Sequence, residues 1–378
     1  MATSISALTS EIIERASKDR IKTAYNDLVN HTPARYLCLY GCGNTAKTTI
    51  ALFERLKIQI DFLCESDGGA HIGGSFCGYK VISFSDLCNI KTQTLVLVSH
   101  GKVYECYSIL AGNGFPHICW CSWWVLENME TLENLGGGVE EGLCRLKELC
   151  SDAESYYVAL VVLKNMFSIK MDFNEVNSIY TKEMDEIQHL FELTNGECFA
   201  DCGAYDGDTV EEFIECVPNY KKIYAIEMDS ENYSQLVTNT KNYRDIECFN
   251  VGLCDRNGIM SYISTGKTTS VDSLLPQATE KPSDDSQTFV RLAALDDLLD
   301  GQPVSFIKMD IEGAELEALR GAETIIREQK PKLAISVYHN PAHIFEVPVL
   351  LKQFVPEYKI YFRHHSDSLY ETMCYATL

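Results

Sequence analysis

A glycine-containing loop constrains the fold of this chain more than any other feature. It lies between an apolar run and a helix-like run, and its sequence is Asp201-Cys202-Gly203-Ala204-Tyr205-Asp206-Gly207-Asp208. Glycines at this place let the main chain turn sharply from a strand into a helix and leave room for a ligand beside the bare backbone. The isolated acid Glu227 closes the next apolar run, and an acid about 20 residues further along can bind ribose hydroxyls. The pattern predicts a nucleoside-binding α/β domain.

Length and composition limit the classes of protein and partner. With 378 residues, of which 46% are hydrophobic, the chain is expected to form two globular domains. A formal net charge of -22 disfavours binding to nucleic acid or to anionic membranes, because the field of the protein repels them. Met1 to Arg20 mix Ser, Thr and charge with short apolar stretches, so neither a secretory segment nor a membrane span is expected.

The 16 cysteines of the chain are scattered along the sequence. None forms the paired CxxC arrangement that would indicate a zinc site. Since free cysteine is readily buried as a small hydrophobic residue, the pattern favours a reduced, cytoplasmic setting.

Apolar runs alternate with helical periodicity in the C-terminal half of the chain, as in a regular α/β domain. Asn257-Gly258 predicts a tight turn, and the Ser/Thr-rich segment from Ser264 to Thr288 predicts a flexible loop that is a candidate lid. The predicted strands are Cys198–Asp201, Ile223–Glu227, Ile246–Val251, Val304–Asp310, Lys332–Tyr338, Lys359–Phe362 and Met373–Ala376, and the predicted helices are Thr209–Val217, Glu231–Thr240 and Leu316–Gln329.

A shorter α/β pattern precedes this domain. A helical pattern from Ile12 to Val29 is followed by predicted strands at Arg35–Tyr40, Ile58–Cys64 and Leu95–Val98, with the loop Gly41-Cys42-Gly43-Asn44-Thr45-Ala46 after the first of them. From Trp123 to about Leu193 the periodicity is helical, with a Gly136-Gly137-Gly138 break that suits a hinge. We therefore predict a Rossmann-like domain in residues 1–122, a helical linker in 123–195 and a larger α/β domain in 196–378.

The position of Asp201 favours one nucleoside cofactor over another. A dinucleotide loop presents helix N-terminal amides to a pyrophosphate, which an acid before the glycines would repel. The same carboxylate can approach the amino group of a methionine moiety, and a seven-stranded α/β sheet with its glycine loop at strand one matches the class I methyltransferase plan. The candidate cofactor-binding residues are Asp201, Gly203, Ala204, Tyr205, Gly207, Glu227, Met228, Asn250, Gly252 and Asp310.

Five motifs follow one another in the C-terminal half of the chain. They are the loop at Asp201, Leu295-Asp296-Asp297-Leu298-Leu299, Ile307-Lys308-Met309-Asp310-Ile311-Glu312-Gly313-Ala314-Glu315 with Leu319-Arg320-Gly321-Ala322, Tyr338-His339-Asn340-Pro341, and Glu371-Thr372-Met373-Cys374-Tyr375-Ala376. Through these motifs, Cys198 to Leu378 resembles the FkbM-type S-adenosylmethionine-dependent methyltransferases. The resemblance implies a class I fold, S-adenosylmethionine as cofactor and O-methylation, often of a sugar or a natural-product hydroxyl.

A hydroxyl acceptor is a poor nucleophile until a base removes its proton or a divalent metal lowers its pKa. Lys308, Asp310 and Glu312 are candidates to surround the acceptor because they follow one another at the end of strand four. His339 directly follows strand five and is the candidate base. Asp310 and His339 are alternatively the ligands of a Mg²⁺ or Mn²⁺ ion.

Other ionisable residues near the same edge are weaker candidates. His343 is close to His339 in sequence, and His364 and His365 follow a late strand. Glu315 and Glu317 are expected to complement a helix dipole and to have no chemical role.

The N-terminal glycine loop leaves other functions open. Gly41, Gly43 and Ala46 resemble a degenerate nucleotide loop, and Glu65 or Asp67 is placed as a ribose-binding acid. This domain also looks like small domains that bind sugar nucleotides, so a nucleotide sugar is its expected partner. An alternative role for this domain is the formation of a homo-oligomer. The expected partner of the C-terminal domain is a small-molecule or glycan acceptor. The alternatives to a methyltransferase are an NAD-dependent oxidoreductase that uses this loop and a non-catalytic binding protein that retains the fold.

Overall fold

A computed structural model describes residues 5–16, 34–120, 129–168, 171–264, 269–273 and 288–378. The chain divides into two compact units. The first comprises Met1–Arg145, Tyr157–Tyr180 and Ser366–Tyr370, and the second comprises Leu146–Tyr156, Thr181–His365 and Glu371–Leu378. Among the described residues, no helix combines the length and the apolar character that a membrane crossing needs.

Alternating strands and helices form the first unit. Its strands are β1 (Tyr36–Tyr40), β2 (Phe62–Glu65), β3 (Ser75–Phe76), β4 (Tyr79–Ser83), β5 (Thr94–Val98) and β6 (Ile118–Trp120). They form one sheet in the order β3-β4-β2-β1-β5-β6, in which only the β3–β4 pair is antiparallel. Its first helices are α1 (Ile5–Arg15), α2 (Asn44–Leu56), α3 (Phe84–Asn89) and α4 (Val103–Gly112). This is the Rossmann-like arrangement that the sequence predicts, although residues 17–29 of the predicted leading helix lie outside the described residues.

Five helices occupy the described part of the stretch predicted as a helical linker. They are α5 (Met129–Gly136), α6 (Val139–Leu149), α7 (Ala153–Met166), α8 (Phe173–Ser178) and α9 (Glu183–Phe191). Residues 121–128, which include Trp123, lie outside the described residues. Because α6 and α7 each begin in one unit and end in the other, this stretch is divided between the two units.

Seven strands form the main sheet of the second unit. They are β7 (Cys198–Cys202), β8 (Lys222–Ile226), β9 (Ile246–Phe249), β14 (Phe306–Met309), β15 (Lys332–Ser336), β16 (Lys359–His364) and β17 (Thr372–Thr377). Their order is β16-β17-β15-β14-β7-β8-β9, and β17 alone runs antiparallel to its neighbours. The helices of this part are α10 (Asp208–Cys216), α11 (Ser230–Thr240), α12 (Leu295–Leu299), α13 (Glu315–Arg320), α14 (Glu323–Gln329) and α15 (His343–Phe354). The predicted seven-stranded α/β sheet is confirmed.

Aromatic rings pack together at the centre of this sheet. Phe199 in β7 and Phe306 in β14 face each other in register, and their rings stack at 4.7 Å. Phe213 of α10 packs on Phe199 at 4.4 Å, and all three rings are buried. A parallel sheet buried on both faces needs apolar residues on both sides of each strand, and this explains why its strands were recognisable as continuous apolar runs.

A second sheet of four strands corrects one prediction. Its strands are β10 (Gly252–Leu253), β11 (Gly258–Ser264), β12 (Thr269–Ser273) and β13 (Thr288–Ala293), in the order β10-β13-β11-β12. The segment Ser264–Thr288 was predicted to be a flexible loop, yet β12 lies within it and pairs antiparallel with β11. Thr and Val favour strands, so polar composition alone was a poor guide here. Residues 265–268 and 274–287 lie outside the described residues.

The predicted helix Leu316–Gln329 is also wrong, because two helices, α13 and α14, replace it. Gly321, which follows α13, packs against the main chain so closely that a Cβ there would lie 2.0 Å from the carbonyl oxygen of Cys254. The carboxylate of Asp296 then accepts hydrogen bonds from the main-chain N–H groups of Thr324 and Ile325 at 2.8 and 2.9 Å and caps the new helix.

Candidate functional site

A cavity of about 530 Å³ lies in the second unit, where β7, β8 and β14 end. Ligands of open α/β sheets bind outside the carboxyl ends of parallel strands, so this is the expected place for a ligand. One part of its lining is apolar and includes Ile226, Val251, Leu253 and Leu292. The other part contains five carboxylates, which belong to Glu227, Asp310, Glu312, Glu317 and Glu371. No Lys, Arg or His is among the lining residues that the structure describes.

The glycine loop brings two strand ends into close contact. Gly203 has a φ of +89°, and a Cβ on it would lie 1.9 Å from the carbonyl oxygen of Asp310. The N–H groups of Gly203 and Ala204 both donate to the carbonyl oxygen of Ile226, at 2.9 and 3.0 Å. Only glycine permits this approach, which places the loop at the cavity wall.

Glu227 follows β8 and its carboxylate is fixed by the main chain. The N–H of Tyr205 donates to its Oε2 at 3.0 Å, and the N–H of Asp229 donates to its Oε1 at 2.6 Å. Asn250 supports this turn from behind, since its Nδ2 donates to the carbonyl oxygens of Glu227 and Met228 at 2.9 and 3.0 Å. Burial raises the pKa of Glu227 to about 7 despite these main-chain hydrogen bonds.

Asp201 and Lys308 are ionisable residues in neighbouring strands. They face each other in the register of β7 and β14, and both are buried. Burial raises the pKa of Asp201 to about 7, although Lys308 opposes this shift. Burial alone would lower the pKa of Lys308, but Glu183, Asp310 and Asp201 raise it, so its ammonium group keeps its charge. Neither carboxylate oxygen of Asp201 has a hydrogen-bond partner among the described residues.

A tyrosine links two of the cavity carboxylates. The hydroxyl of Tyr338 lies 3.2 and 3.3 Å from the two carboxylate oxygens of Asp310 and 3.4 Å from Oε1 of Glu371. Burial and the carboxylates raise the pKa of Tyr338 well above its ordinary value, so it is a neutral donor. Burial and Asp310 raise the pKa of Glu371 to about 7, although Lys308 opposes this shift. Glu371 therefore titrates near neutral pH at the cavity wall.

His339 lies among three carboxylates. Its Nδ1 is 3.0 Å from Oε1 of Glu315, and its Nε2 is 3.6 Å from Asp310 and 3.5 Å from Glu312. Burial would lower the pKa of His339, but the hydrogen bond to Glu315 and the surrounding carboxylates raise it to about 9. At neutral pH the residue is therefore an imidazolium, which stabilises the carboxylates and is not free to accept a proton. Asp310, Glu315 and His339 offer ligand atoms within 4.8 Å of one another, and the shared divalent ion stays a prediction.

Glu315 is buried and has hydrogen-bond partners that a helix dipole alone would not give it, while the expectation that it has no chemical role stays a prediction. Its Oε1 accepts hydrogen bonds from the main-chain N–H groups of Ile311 and Gly313 at 3.1 and 3.2 Å, and its Oε2 lies 3.1 Å from Nδ1 of His343. Burial would raise the pKa of Glu315, but the two histidines lower it. Glu315 thus positions His339 and the loop that carries Glu312.

Three residues at the cavity adopt a backbone conformation that is rare outside glycine. Tyr205, Glu312 and Glu371 have φ values of 46°, 58° and 58°, and all three line the cavity. Such conformations cost free energy and concentrate at functional sites. Their coincidence at one cavity supports a role for it in binding or catalysis.

The predicted site residues divide into two groups. Those that line the cavity are Gly203, Tyr205, Glu227, Met228, Gly252, Asp310 and Glu312. Those that lie outside the lining are Asp201, Ala204, Gly207, Asn250, Lys308 and His339. Sequence reasoning missed Tyr338, Glu317 and Glu371 as site residues, although Tyr338 and Glu371 each open one of the five motifs.

The two late histidines make structural hydrogen bonds. The Nδ1 of His364 lies 2.8 Å from the hydroxyl oxygen of Thr372. The Nε2 of His365 lies 2.7 Å from the hydroxyl oxygen of Tyr375, and its Nδ1 lies 2.9 Å from the carbonyl oxygen of Thr181. Neither residue belongs to the cavity lining.

The sheet order and the cavity at the ends of β7, β8 and β14 define a class I methyltransferase fold. The family model described as methyltransferase FkbM domain matches residues 201–364, and this part of the chain is therefore a methyltransferase domain of the FkbM family. The sequence has no match among curated proteins.

A solved structure shows the same fold. Methyltransferase FkbM from Methylobacillus flagellatus KT is similar over 98% of this chain and 99% of its own, with a TM-score of 0.75 and 19% identity. Weaker likenesses cover about half of this chain. Aeropyrum pernix fibrillarin in complex with S-adenosyl-L-methionine covers 51% of this chain and 73% of its own, with a TM-score of 0.33 and 13% identity. Precorrin-6y C5,15-methyltransferase from Geobacter metallireducens GS-15 covers 52% and 88%, with a TM-score of 0.32 and 12% identity.

Proposed function

We propose that the cavity binds S-adenosylmethionine and that the protein methylates a hydroxyl group of a neutral small molecule, such as a sugar or glycan. The observation that carries this proposal is the charge of the lining, which among the described residues has five carboxylates and no Lys, Arg or His. S-adenosylmethionine brings a sulfonium and an ammonium group, whose positive charges such a lining stabilises. NAD brings a pyrophosphate, which the same lining repels.

The residues at the cavity fit this cofactor. Glu227 lines the cavity, and its carboxylate can accept ribose hydroxyls in addition to its main-chain hydrogen bonds, because a carboxylate has about four lone-pair sites. Ile226, Val251 and Leu253 supply an apolar surface for a flat base. Asp201 has a buried carboxylate without a hydrogen-bond partner among the described residues, but it lies outside the cavity lining, so its contact with the cofactor's amino group stays a prediction.

Three side chains have separate roles in the proposed reaction. When bound, S-adenosylmethionine supplies an electrophilic methyl group. Glu371 accepts the proton of the acceptor hydroxyl, since its carboxylate lies at the cavity and titrates near neutral pH. Tyr338 orients Glu371 and Asp310 through its hydroxyl. His339, held as an imidazolium, fixes Asp310 and offsets part of the negative charge.

The same lining limits the acceptor. Five carboxylates disfavour a phosphorylated or carboxylated acceptor in this cavity, so a neutral hydroxyl compound fits best. Binding of a nucleotide sugar to the first unit, a homo-oligomeric state and a cytoplasmic location stay predictions.

Thermal unfolding with S-adenosylmethionine or NAD tests the cofactor. A ligand that binds only the folded state at 100 times its dissociation constant stabilises it by about 2.7 kcal/mol, so S-adenosylmethionine is expected to raise the unfolding temperature by several degrees. NAD is expected to leave the temperature unchanged, and stabilisation by NAD alone would favour the oxidoreductase. Transfer of a labelled methyl group to a sugar, detected by mass spectrometry, separates an enzyme from a non-catalytic binding protein.

Glu227→Gln is expected to weaken binding of S-adenosylmethionine by about 10- to 100-fold, because a hydrogen bond to a charged group is worth about 1.5–3 kcal/mol. Isothermal titration calorimetry measures the change. Glu215→Gln is the matched control, since Glu215 is exposed on α10. Equal affinity of the two variants would remove Glu227 from the cofactor site.

A further inference from the structure

A cluster of three metal-binding side chains in the first unit has no role in the proposed methyl transfer. It consists of Cys42, Glu65 and His71, which each offer one ligand atom within 4.8 Å of the others. All three residues are half-buried, so an ion can reach them from solvent. The three residues are separated in the sequence and form no CxxC motif, so the cluster becomes visible only when the fold brings them together.

The sheet places Cys42 beside Glu65. β1 and β2 are parallel, Tyr40 is in register with Cys64, and the N–H of Gly41 donates to the carbonyl oxygen of Cys64 at 2.9 Å. Cys42 and Glu65 therefore leave the same edge of the sheet. Since parallel strands end together, this placement follows directly from the topology.

The turn after β2 brings His71 to the carboxylate. The main-chain N–H of His71 donates to Oε2 of Glu65 at 3.0 Å, and its Nδ1 lies 2.8 Å from Oε1. A Cβ on Gly69 would lie 2.5 Å from Oε2 of Glu65, so a glycine lets the turn close over the carboxylate. Phe76 packs edge-on against the imidazole at 5.1 Å and fixes its ring. The three ligand groups are therefore preorganised.

We propose that Cys42, Glu65 and His71 bind a zinc ion. Thiolate, imidazole and carboxylate are the three side-chain ligands that zinc takes, and a thiolate ligand disfavours magnesium and calcium. Three protein ligands leave the fourth tetrahedral position to water. Zinc binding needs the thiolate of Cys42 and a neutral imidazole whose Nδ1 is free, so the thiol proton of Cys42 is released to solvent and His71 carries its proton on Nε2.

The same contacts disfavour the predicted nucleotide site at this edge. Glu65 is engaged by His71, and the carboxylate of Asp67 accepts hydrogen bonds from the N–H and the hydroxyl of Ser85. A ribose would have to displace one of these partners before either acid could bind it. A zinc ion needs no such displacement, because it uses the same groups in nearly the same positions.

The test is zinc binding by the full-length protein after removal of metal under reducing conditions. Competition with a chromophoric chelator is expected to show one tight site per chain. Cobalt titration is expected to give a thiolate-to-metal charge-transfer absorption, which disappears in Cys42→Ser. His71→Gln is expected to weaken zinc binding by about 10-fold or more, as losses around metal sites do.

Cys144→Ser is the matched control, because Cys144 is an exposed thiol elsewhere in the first unit, on α6. It is expected to bind zinc and cobalt as the unchanged protein does. The proposal is overturned if the unchanged protein does not compete for zinc, or if Cys42→Ser and His71→Gln bind it equally well. Should Cys42→Ser not fold, His71→Gln decides alone, since that side chain is 39% exposed. Affinity for S-adenosylmethionine is measured separately, and its outcome has no bearing on this site.

Discussion

Gly203→Ala is expected to abolish cofactor binding and to destabilise the second unit. A Cβ at this position would lie 1.9 Å from the carbonyl oxygen of Asp310 and 2.9 Å from its carbonyl carbon. Both contacts are with main chain, so the ends of β7 and β14 must separate, and the cavity between them must change shape. The left-handed conformation costs a non-glycine residue about 1–3 kcal/mol, and overpacking adds about 1–3 kcal/mol. Calorimetric titration and the midpoint of urea unfolding measure the two effects.

Gly196→Ala separates the clash from the backbone conformation. Gly196 has a φ of +91°, close to that of Gly203, but a Cβ there would meet nothing within 4 Å. The control is therefore expected to lose about 1–2 kcal/mol of stability and to retain cofactor affinity. If both variants bind S-adenosylmethionine equally well, the approach of Gly203 to Asp310 is not what shapes the cavity.

Much of the sheet was predictable because its strands are parallel and buried. Continuous apolar runs gave β7, β8 and β14 to within a few residues, and the acids after them mark the shared carboxyl edge. Glu227 and Asp310 were placed at the site by this rule, and both line the cavity. The family resemblance rests on these same segments, and the FkbM domain match begins at residue 201.

Glu371 could not be assigned to the site by its position after a parallel strand, because it precedes an antiparallel strand. β17 runs against β15, with Ser336 opposite Met373, so the residue before β17 lies at the edge where β15 ends. Sequence position gives no sign of this reversal. Once the pairing is known, the acid that begins the last motif becomes a residue of the cavity wall.

The protonation of His339 could not be predicted from sequence either. Its pKa depends on Glu315, which is expected from the sequence to complement a helix dipole and which the fold buries beside the imidazole. Similarly, Glu65 matched a ribose-binding position, but its carboxylate is already bound by His71. In each case the decisive partner comes from a segment whose approach only the fold determines.

Glu371→Gln is expected to lower turnover by about 10²- to 10⁴-fold, the usual contribution of a positioned general base. The amide retains the shape of the carboxylate but cannot accept a proton, so affinity for S-adenosylmethionine is expected to stay nearly unchanged. The unchanged enzyme needs the ionised carboxylate, whose pKa is about 7, so kcat/KM is expected to rise with pH through this value and then level off. Steady-state kinetics across pH, with the acceptor that the methyl-transfer assay identifies, measures both effects.

The pH at which kcat/KM rises distinguishes Glu371 from His339 as the base, because the two residues have different pKa values. Burial raises the pKa of Glu371 most, Asp310 and Glu183 raise it further, and Lys308 and His339 lower it. Since His339 has a pKa of about 9, a base role for that residue would instead place the rise near pH 9 and leave it in place in Glu371→Gln. Glu323→Gln, in an exposed ion pair on α14, is the control and is expected to keep full turnover. A Glu371→Gln variant that keeps both the turnover and the rise near pH 7 would show that another group accepts the proton.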